Sequence, residues 1–252
     1  MRIFLFTNLF LFVLSTVYAQ DSTGSENNTS FISSQKIIEG DGMLSLNLSL
    51  PSEDMKELTR NNMFGSGFGG SLLFLSNPGT WGKNDKNTVL RIGGELGYTY
   101  YGRFITDVNI NGYRGDYKTS YGIAHLNAIL RLRPPEVGPI VPFGDFFIGG
   151  NFYFSTIKEN LDAIETSLGL EPFDFGGTSS ASFVKGAAAG ISIGSRNPLK
   201  ARLILRVSYA KGSSLRYIVR NSLEFDPNYN SLTYQTNRAP VEYFLAQVGI
   251  GL

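Results

Sequence analysis

The sequence predicts an all-β protein, an eight-stranded antiparallel up-and-down transmembrane β-barrel with four long extracellular loops and short periplasmic turns. Three observations support this prediction. Apolar and polar residues alternate with a period of two in many separate segments. After the apolar run that ends at Leu14, no segment approaches the ~20 apolar residues that a membrane-spanning helix needs. Long and short connections follow one another, as expected for loops on one side of a membrane and turns on the other.

The first 19 residues, 1–19, are typical of a cleaved secretory signal peptide. A basic start precedes the apolar run 3–14, and Val17 and Ala19 are small residues where a signal peptidase cuts. An N-terminal anchor that stays attached is the alternative. Residues 20–42 are polar and aperiodic, so we expect a leader or linker there, followed by a barrel over 43–252.

Composition narrows the possible functions. The chain has 22 basic and 21 acidic residues, and its net charge of +1 does not favour nucleic acid as a partner. It has no cysteine, which excludes disulfide scaffolds, thiol nucleophiles and cysteine zinc sites. The 29 glycines, 19 phenylalanines and 13 tyrosines indicate β-structure rather than helices.

The alternation is clearest in residues 43–50, MLSLNLSL, where leucines alternate with serine and asparagine. The leucine face would point into the core of a soluble sandwich or toward lipid in a membrane barrel, and one strand does not distinguish them. The series of candidate strands favours the barrel. Eight segments carry the pattern: 43–50, 67–76, 88–102, 119–133, 140–155, 181–194, 200–210 and 241–252.

The connections between these segments indicate an antiparallel meander. An even number of strands places both termini at the periplasmic end of such a barrel. The long connections are 51–66, 103–118, 156–180 and 211–240, and the short ones are 77–87, 134–139 and 195–199.

Residues 65–70, GSGFGG, have the glycine spacing of a dinucleotide-binding turn. Such a turn needs a strand directly before it and a helix directly after it. Here the preceding strand ends at Leu50, and the apolar stretch after Gly70 is soon broken by Pro78. We therefore expect no nucleotide and no other cofactor, and we assign these glycines to a strand in a tightly curved wall.

The chain resembles the small eight-stranded outer-membrane β-barrel proteins of Gram-negative bacteria, in particular OmpA-, OmpX- and OmpW-like barrels of a Bacteroidetes envelope. The signal peptide, the alternating strands, the long and short connections and PIVPFGDFFIGGNFYFS at 139–155 carry the resemblance. The chain ends in Leu252, where these proteins usually have an aromatic residue, so their assembly signal is matched in part. We expect no peptidoglycan-binding domain after the barrel. The resemblance implies an integral outer-membrane protein.

Charged residues on the polar face of the strands would lie inside the barrel, which in an eight-stranded barrel has room for side chains and little else. We expect a salt-bridged plug in which Glu95 and Asp145 are shared among several arginines. The alternative is a narrow small-solute or anion pore, which steady anion-selective conductance would reveal. The predicted lumen network comprises Arg91, Glu95, His125, Arg131, Arg133, Asp145, Arg202 and Arg206.

A lipid A-modifying barrel enzyme is a third possibility. Such enzymes use a histidine with a serine and an acidic partner, and this chain has the single histidine His125. Nothing supplies a serine and a carboxylate near it by recognisable spacing. We expect a lumen histidine with its hydrogen bonds satisfied, no catalytic residue and no metal site.

The long connections remain as the surface for partners. In the connection 156–180, Ile157, Leu161, Ile164 and Leu168 recur at helical spacing and predict a short amphipathic helix. The expected function is therefore a non-enzymatic structural or interaction role, as an accessory subunit of an envelope assembly such as secretion or gliding machinery. The expected partners are outer-membrane lipid, lipopolysaccharide and an envelope protein. The candidate contact residues in 211–240 mix arginine with aromatic residues: Arg216, Tyr217, Arg220, Phe225, Tyr229, Tyr234 and Arg238.

Overall fold

The computed structural model describes eight ranges of the chain. The predicted signal peptide and residues 20–39 of the predicted leader lie outside them. No helix within these ranges is long and apolar enough to span a membrane. The ranges are 40–56, 66–78, 89–110, 113–134, 138–159, 174–194, 201–226 and 231–251.

Strands make up almost all of the described chain, and the one helix among them, α1 (Glu53–Lys56), is a single turn after the first strand. The described residues form eight long strands and one small hairpin. The strands are β1 (Gly40–Pro51), β2 (Gly67–Ser76), β3 (Leu90–Ile110), β4 (Tyr113–Leu132), β5 (Ile140–Glu159), β6 (Asp174–Ile193), β7 (Arg202–Ile218), β8 (Glu224–Asp226), β9 (Ser231–Thr233) and β10 (Thr236–Gly251).

The eight long strands form a closed barrel in which each pairs antiparallel with its neighbours in the order β1-β10-β7-β6-β5-β4-β3-β2. The barrel closes between the first and last strands, from Met43 opposite Gly251 to Pro51 opposite Tyr243. The strands β8 and β9 form a separate hairpin. The predicted eight-stranded antiparallel barrel is confirmed, and each predicted strand segment lies on one of the eight strands.

One circuit of paired residues measures how far the strands are staggered. It returns to β1 at Gly40, ten residues before its start at Leu50. A barrel closed with such a stagger has strands tilted by about 35–45° from its axis. Rows of paired residues therefore climb along the axis as they cross the strands. The circuit runs Leu50, Phe244, Tyr209, Ala187, Phe146, Leu130, Ile92, Ser76, Gly40.

The two ends of the barrel differ. We call the end with Gly40 and Gly251 the terminal end and the end with Pro51 and Thr236 the hairpin end. Toward the hairpin end, strands run on through much of two predicted loops, since β3 and β4 cover all of 103–118 except residues 111 and 112. Likewise β7 and β10 cover 211–218 and 236–240 of the predicted loop 211–240.

These strand extensions were missed for a physical reason. The strands are predicted from apolar residues on the outward face. In the extensions, the buried apolar residues point inward instead. Val108, Tyr117 and Ile157 are buried there, while Arg103 and Asp107 face outward and are exposed. The predicted helix in 156–180 is wrong at its first residue, because Ile157 lies in β5. Leu161, Ile164 and Leu168 lie outside the described residues.

The N-terminal boundary of the barrel also differs by a few residues, because β1 begins at Gly40 rather than at residue 43. The glycines Gly67, Gly69 and Gly70 lie in β2, where the backbone approaches its neighbour closely. A Cβ on Gly69 would lie 1.8 Å from the carbonyl oxygen of Tyr98. No side chain fits at that position.

We expect Gly97→Ala to destabilise the barrel by about 1–3 kcal/mol, the usual cost of overpacking a filled interior. Gly97 faces inward, and a Cβ there would lie 2.3 Å from His125 Nε2 and 2.8 Å from Ser71 Cβ. Gly94→Ala on the same strand is the matched control, since its Cβ would be 3.4 Å from its nearest neighbour, the carbonyl oxygen of Asn127. Urea titration of the refolded protein measures both. Equal stability of the two variants would contradict the expectation.

Candidate functional site

The centre of the barrel interior holds an ion pair between Glu95 on β3 and Arg206 on β7. Arg206 Nη1 lies 3.0 Å from Glu95 Oε1 and 3.1 Å from Oε2. The amide of Gln247 on β10 donates to Glu95 Oε1 at 2.7 Å and accepts from Arg206 Nη1. All three side chains are fully enclosed, with at most 2% of each residue exposed. The carboxylate is thus held from two strands on the opposite side of the barrel.

Arg206 also joins this pair to a second carboxylate. Its Nε lies 2.8 Å from Asp145 Oδ2 on β5. Arg131 on β4 meets the same carboxylate with two parallel hydrogen bonds, Nε to Oδ1 at 2.7 Å and Nη2 to Oδ2 at 2.9 Å. Its guanidinium carbon lies 3.8 Å from the centre of the Phe143 ring. Bidentate pairs are among the strongest side-chain hydrogen bonds, so β3, β4, β5 and β7 are linked across the interior.

Small polar side chains of β1 and β2 extend this network. Ser45 Oγ lies 2.7 Å from Ser71 Oγ, and Ser71 Oγ lies 3.2 Å from Glu95 Oε1. Gln247 Nε2 donates to Asn47 Oδ1 at 3.2 Å. The sequence predicts that the serine and asparagine residues of 43–50 lie on the polar face, but it does not indicate these contacts. Gln247 was also missed. Its one signal in the sequence is its polar position within an alternating strand.

At the terminal end, Asp41 makes a separate group with two arginines. Its Oδ2 lies 3.5 Å from Arg91 Nε and 3.2 Å from Arg133 Nη1. Arg202 begins β7 at the same end and is partly buried. Sequence reasoning missed Asp41 because it lies within the polar stretch that was assigned to the leader. Four arginines of the predicted network therefore divide into two groups: Arg131 and Arg206 pair with the central carboxylates, and Arg91 and Arg133 pair with Asp41 near the barrel's end.

Tyrosines fill the half of the interior toward the hairpin end. Ser49 Oγ and Tyr101 Oη are 2.7 Å apart, and the rings of Tyr121 and Tyr153 stack with centroids 6.4 Å apart. Above them, Met55 of α1 turns inward and is 0% exposed, packed in the same apolar cluster. Met55, in the described part of the first predicted loop, thus belongs to the apolar packing of the interior.

His125 lies in the interior beside Glu95, with Nε2 4.0 Å from Glu95 Oε1 and without a hydrogen bond to any described residue. The expectation of a fully hydrogen-bonded histidine is therefore not met at this nitrogen. Ser71 lies nearby, because a Cβ placed on Gly97 would contact both the Ser71 and the His125 side chains. The fold thus brings a serine, a histidine and a carboxylate together from separate strands, which spacing along the chain does not reveal.

These three side chains lack the geometry of a nucleophilic triad. The hydroxyl of Ser71 bonds to Glu95 rather than to His125, and each of the three residues is at most 3% exposed. A triad needs the serine bonded to the histidine and open to substrate. Within the described residues, no group of three histidine, aspartate or glutamate side chains could hold a metal ion.

Of the candidate contact residues in 211–240, Arg216 and Arg238 are exposed, and they are paired across β7 and β10. Tyr217 is wrong as a surface contact, because it points inward and is 4% exposed. Arg220 lies over the ring of Phe104 at 4.4 Å. Tyr229 lies outside the described residues.

Phe225 and Tyr234 pack at the hairpin end against a second apolar cluster, separate from the main one. Tyr234 Oη also donates to the Gly177 carbonyl oxygen at 3.3 Å. The second cluster consists of Val108, Tyr117, Ile157, Ile218 and Leu223. These aromatic residues therefore hold the extensions of the barrel together rather than standing free.

No protein-family model and no curated protein matches this chain. Solved structures do match. Neisserial surface protein A (NspA) is 10% identical with a TM-score of 0.42, covering 84% of this chain and 96% of that one. A major outer membrane protein from Thermus thermophilus is 12% identical with a TM-score of 0.45, covering 83% and 98%.

A third match is Ail, the attachment invasion locus protein of Yersinia pestis, solved in complex with the heparin analogue sucrose octasulfate. It is 12% identical with a TM-score of 0.36, covering 85% of this chain and 100% of that one. Scores this low give no inference about what this chain binds or does. The function must be inferred from its own residues.

We expect Arg206→Met to lower the free energy of unfolding by about 3–5 kcal/mol, because it leaves Glu95 without its buried arginine and removes one of the two arginines at Asp145. Arg216→Met, an exposed arginine of the same strand, is the control and should change stability by no more than about 0.5 kcal/mol. Urea unfolding of the refolded barrel measures both. A loss below about 1 kcal/mol for Arg206→Met would show that the network contributes little.

Proposed function

We propose that this protein is an integral outer-membrane barrel with a sealed interior and a non-enzymatic structural or interaction role. The observation that carries the proposal is the outward face of the barrel, which is a continuous belt of exposed apolar side chains. Leu46 is 77% exposed, Phe183 60% and Ile140 57%. Monomeric soluble proteins rarely expose apolar patches above a few hundred Å². Hydrocarbon is the solvent that such a belt suits.

Aromatic residues support a membrane boundary on the hairpin side of this belt. Trp and Tyr concentrate at membrane–water interfaces, and outer-membrane barrels carry aromatic girdles there. Here outward aromatic residues recur on neighbouring strands: Phe68, Tyr98, Tyr100, Phe152, Phe154, Tyr209 and Phe244. With the predicted signal peptide, this supports an orientation with the hairpin end at the cell surface and both termini in the periplasm.

The filled interior favours a sealed barrel over the pore. The central ion pairs, the tyrosine layer and Met55 occupy successive levels between the two ends. On the described strands, the five arginines of the predicted network stand against the three carboxylates Asp41, Glu95 and Asp145, which is the observation that favours an anion pore. The arginines in ion pairs with these carboxylates point at them and do not line an open channel.

The interaction role is supported by the hairpin end, where long strands and their own apolar cluster extend the wall beyond the aromatic residues. The exposed pair Arg216 and Arg238 gives this extension a positive surface. An envelope protein with carboxylates would suit it. The Bacteroidetes origin and a place in secretion or gliding machinery follow from the sequence resemblance alone and belong to this proposal.

A charge placed in the belt should be costly, and the same charge beyond it should not. We expect Leu46→Arg to lower the stability of the barrel in lipid vesicles by about 2–4 kcal/mol. Ile105→Arg, at an outward position of β3 that is 42% exposed beyond the aromatic residues, should change it by less than about 1 kcal/mol. Urea titration in vesicles measures both. Equal effects, or a wild-type chain that folds as a monomer without detergent or lipid, would contradict the membrane assignment.

The proposed partner should depend on the arginine pair. We expect the protein to co-purify with an envelope protein in mild detergent, and Arg216→Glu with Arg238→Glu to abolish this by reversing the charge. Arg103→Glu, an exposed arginine at the same end on β3, is the control and should retain the partner. Affinity purification followed by mass spectrometry measures the yield. An unchanged yield from the double variant would contradict this contact.

A further inference from the structure

The outward face carries a groove of ≈ 710 Å³ that crosses the strands from Ile92 on β3 to Tyr209 and Lys211 on β7. Its floor is the backbone of β6 at Gly186 and the small side chain of Ala187. Phe146 and Tyr209 line the groove along one row of pairs, and Ile148 lines it along the neighbouring row. A Cβ on Gly186 would lie 2.1 Å from the Tyr209 carbonyl oxygen and 2.4 Å from Phe147 Cζ. That Cβ would point into the barrel interior, toward Phe147, so at Gly186 only the backbone contributes to the floor.

Two lysines lie at one end of this groove. Lys185 and Lys211 are paired across β6 and β7, and both are exposed. Lys211 Nζ is 3.7 Å from Glu242 Oε2, while Lys185 has no ion pair with any residue that the structure describes. A lysine on the lipid face of a barrel is costly near the bilayer centre and much less so near the interface. Because the two ammonium groups have only one carboxylate beside them, the lysine pair keeps a positive charge that favours an anion between the two lysines.

The stagger of the barrel sets the direction of the groove. Its residues follow two neighbouring rows of pairs, one from Ile92 to Tyr209 and the other from Ala128 to Lys211. On the circuit around the barrel, Ile92 lies toward Gly40 and Tyr209 toward Leu50. The groove therefore climbs from the terminal side of the belt to its lysines at the hairpin side. That is the path of a lipid whose head group lies at the hairpin-end interface.

We propose that this groove binds one molecule of lipid A, the phosphorylated lipid of lipopolysaccharide, with a phosphate between Lys185 and Lys211 and one acyl chain along Ala187. The assignment rests on the proposed function, which puts the hairpin end at the cell surface, where lipid A forms the outer leaflet. The volume lies within the usual range of about 300–1,000 Å³ for small-molecule sites. The lining is apolar except for the lysines, so tail and head group each meet matching chemistry.

The test is a titration of the purified, folded barrel in detergent micelles with purified lipid A, read out by native mass spectrometry. Wild type should bind one lipid A and prefer it to phosphatidylglycerol and phosphatidylcholine. The double variant Lys185→Gln/Lys211→Gln should bind lipid A about 10- to 30-fold more weakly, at roughly 1 kcal/mol for each lysine near a charged membrane surface. Ala187→Phe should lose binding because it fills the groove.

Ala246→Phe is the matched control, since Ala246 is an outward residue of β10 that does not line the groove. It should bind lipid A as wild type does. Equal binding by wild type and the double variant, or a preference for phosphatidylglycerol over lipid A, would overturn the proposal. A barrel pair in place of a lipid adduct, lost with Ala187→Phe, would also overturn it and assign the groove to a second copy of this chain.

Vesicle insertion of each variant separates the two proposals. A wild type that inserts into vesicles but shows no preference for lipid A contradicts this site alone. A wild type that does not insert contradicts the membrane assignment on which the site rests.

Discussion

Closure of the sheet, by the pairing of β10 with β1, is the constraint on which the other features depend. A closed ladder leaves no unpaired strand edge, which is the condition for β-structure in hydrocarbon. It also divides the side chains of every strand between two faces. Leu44, Leu46 and Leu50 are exposed on β1, while Ser45, Asn47 and Ser49 between them are buried. With the stagger of ten residues, closure decides which inward side chains meet across the interior.

The interior chemistry follows from that division. Charges taken out of water are costly unless they are paired and hydrogen-bonded. Arg206 is paired with both Glu95 and Asp145, from strands that are distant in sequence, and its Nη1 donates hydrogen bonds to Glu95. Removing one member therefore affects two carboxylates at once. The same network joins strands on opposite sides of the barrel. It therefore fixes the shape of the barrel and also fills its interior.

The sequence predicted the wall better than it predicted the contacts. Alternation located all eight strands, because a period of two is a local property. The pairing of Asp41 with Arg91 and Arg133 joins β1, β3 and the residue directly after β4, and no local pattern indicates it. Met55 likewise lies in a segment that reads as a polar loop. The long extensions were missed because their buried apolar residues, such as Val108 and Ile157, face inward rather than outward.

Irregularities in the ladder bear on where the hydrocarbon would end in the proposed membrane orientation. Register shifts between Tyr100 and Gly102 and between Pro240 and Glu242 both lie on the hairpin side of the apolar rows. Gly102 has φ 98°, a left-handed conformation that glycine adopts without strain. Backbone groups left without ladder partners cost several kcal/mol each in lipid, so such shifts belong in water or at the interface. The pairing of β6 with β7 shows the same boundary, since their backbone ladder ends at Val184 opposite Gly212, next to the two lysines.

Beyond the end of that ladder, serine hydroxyls take over the contacts between β6 and β7. Ser182 Oγ donates to the Ser213 carbonyl oxygen at 2.6 Å. Ser180 Oγ accepts from the Arg216 backbone amide at 2.8 Å. A hydroxyl seam of this kind suits a wet surface, because water can satisfy the hydrogen-bonding groups that the ladder leaves unpaired. The lysine end of the groove lies next to the end of this ladder, which is the membrane interface in the proposed orientation.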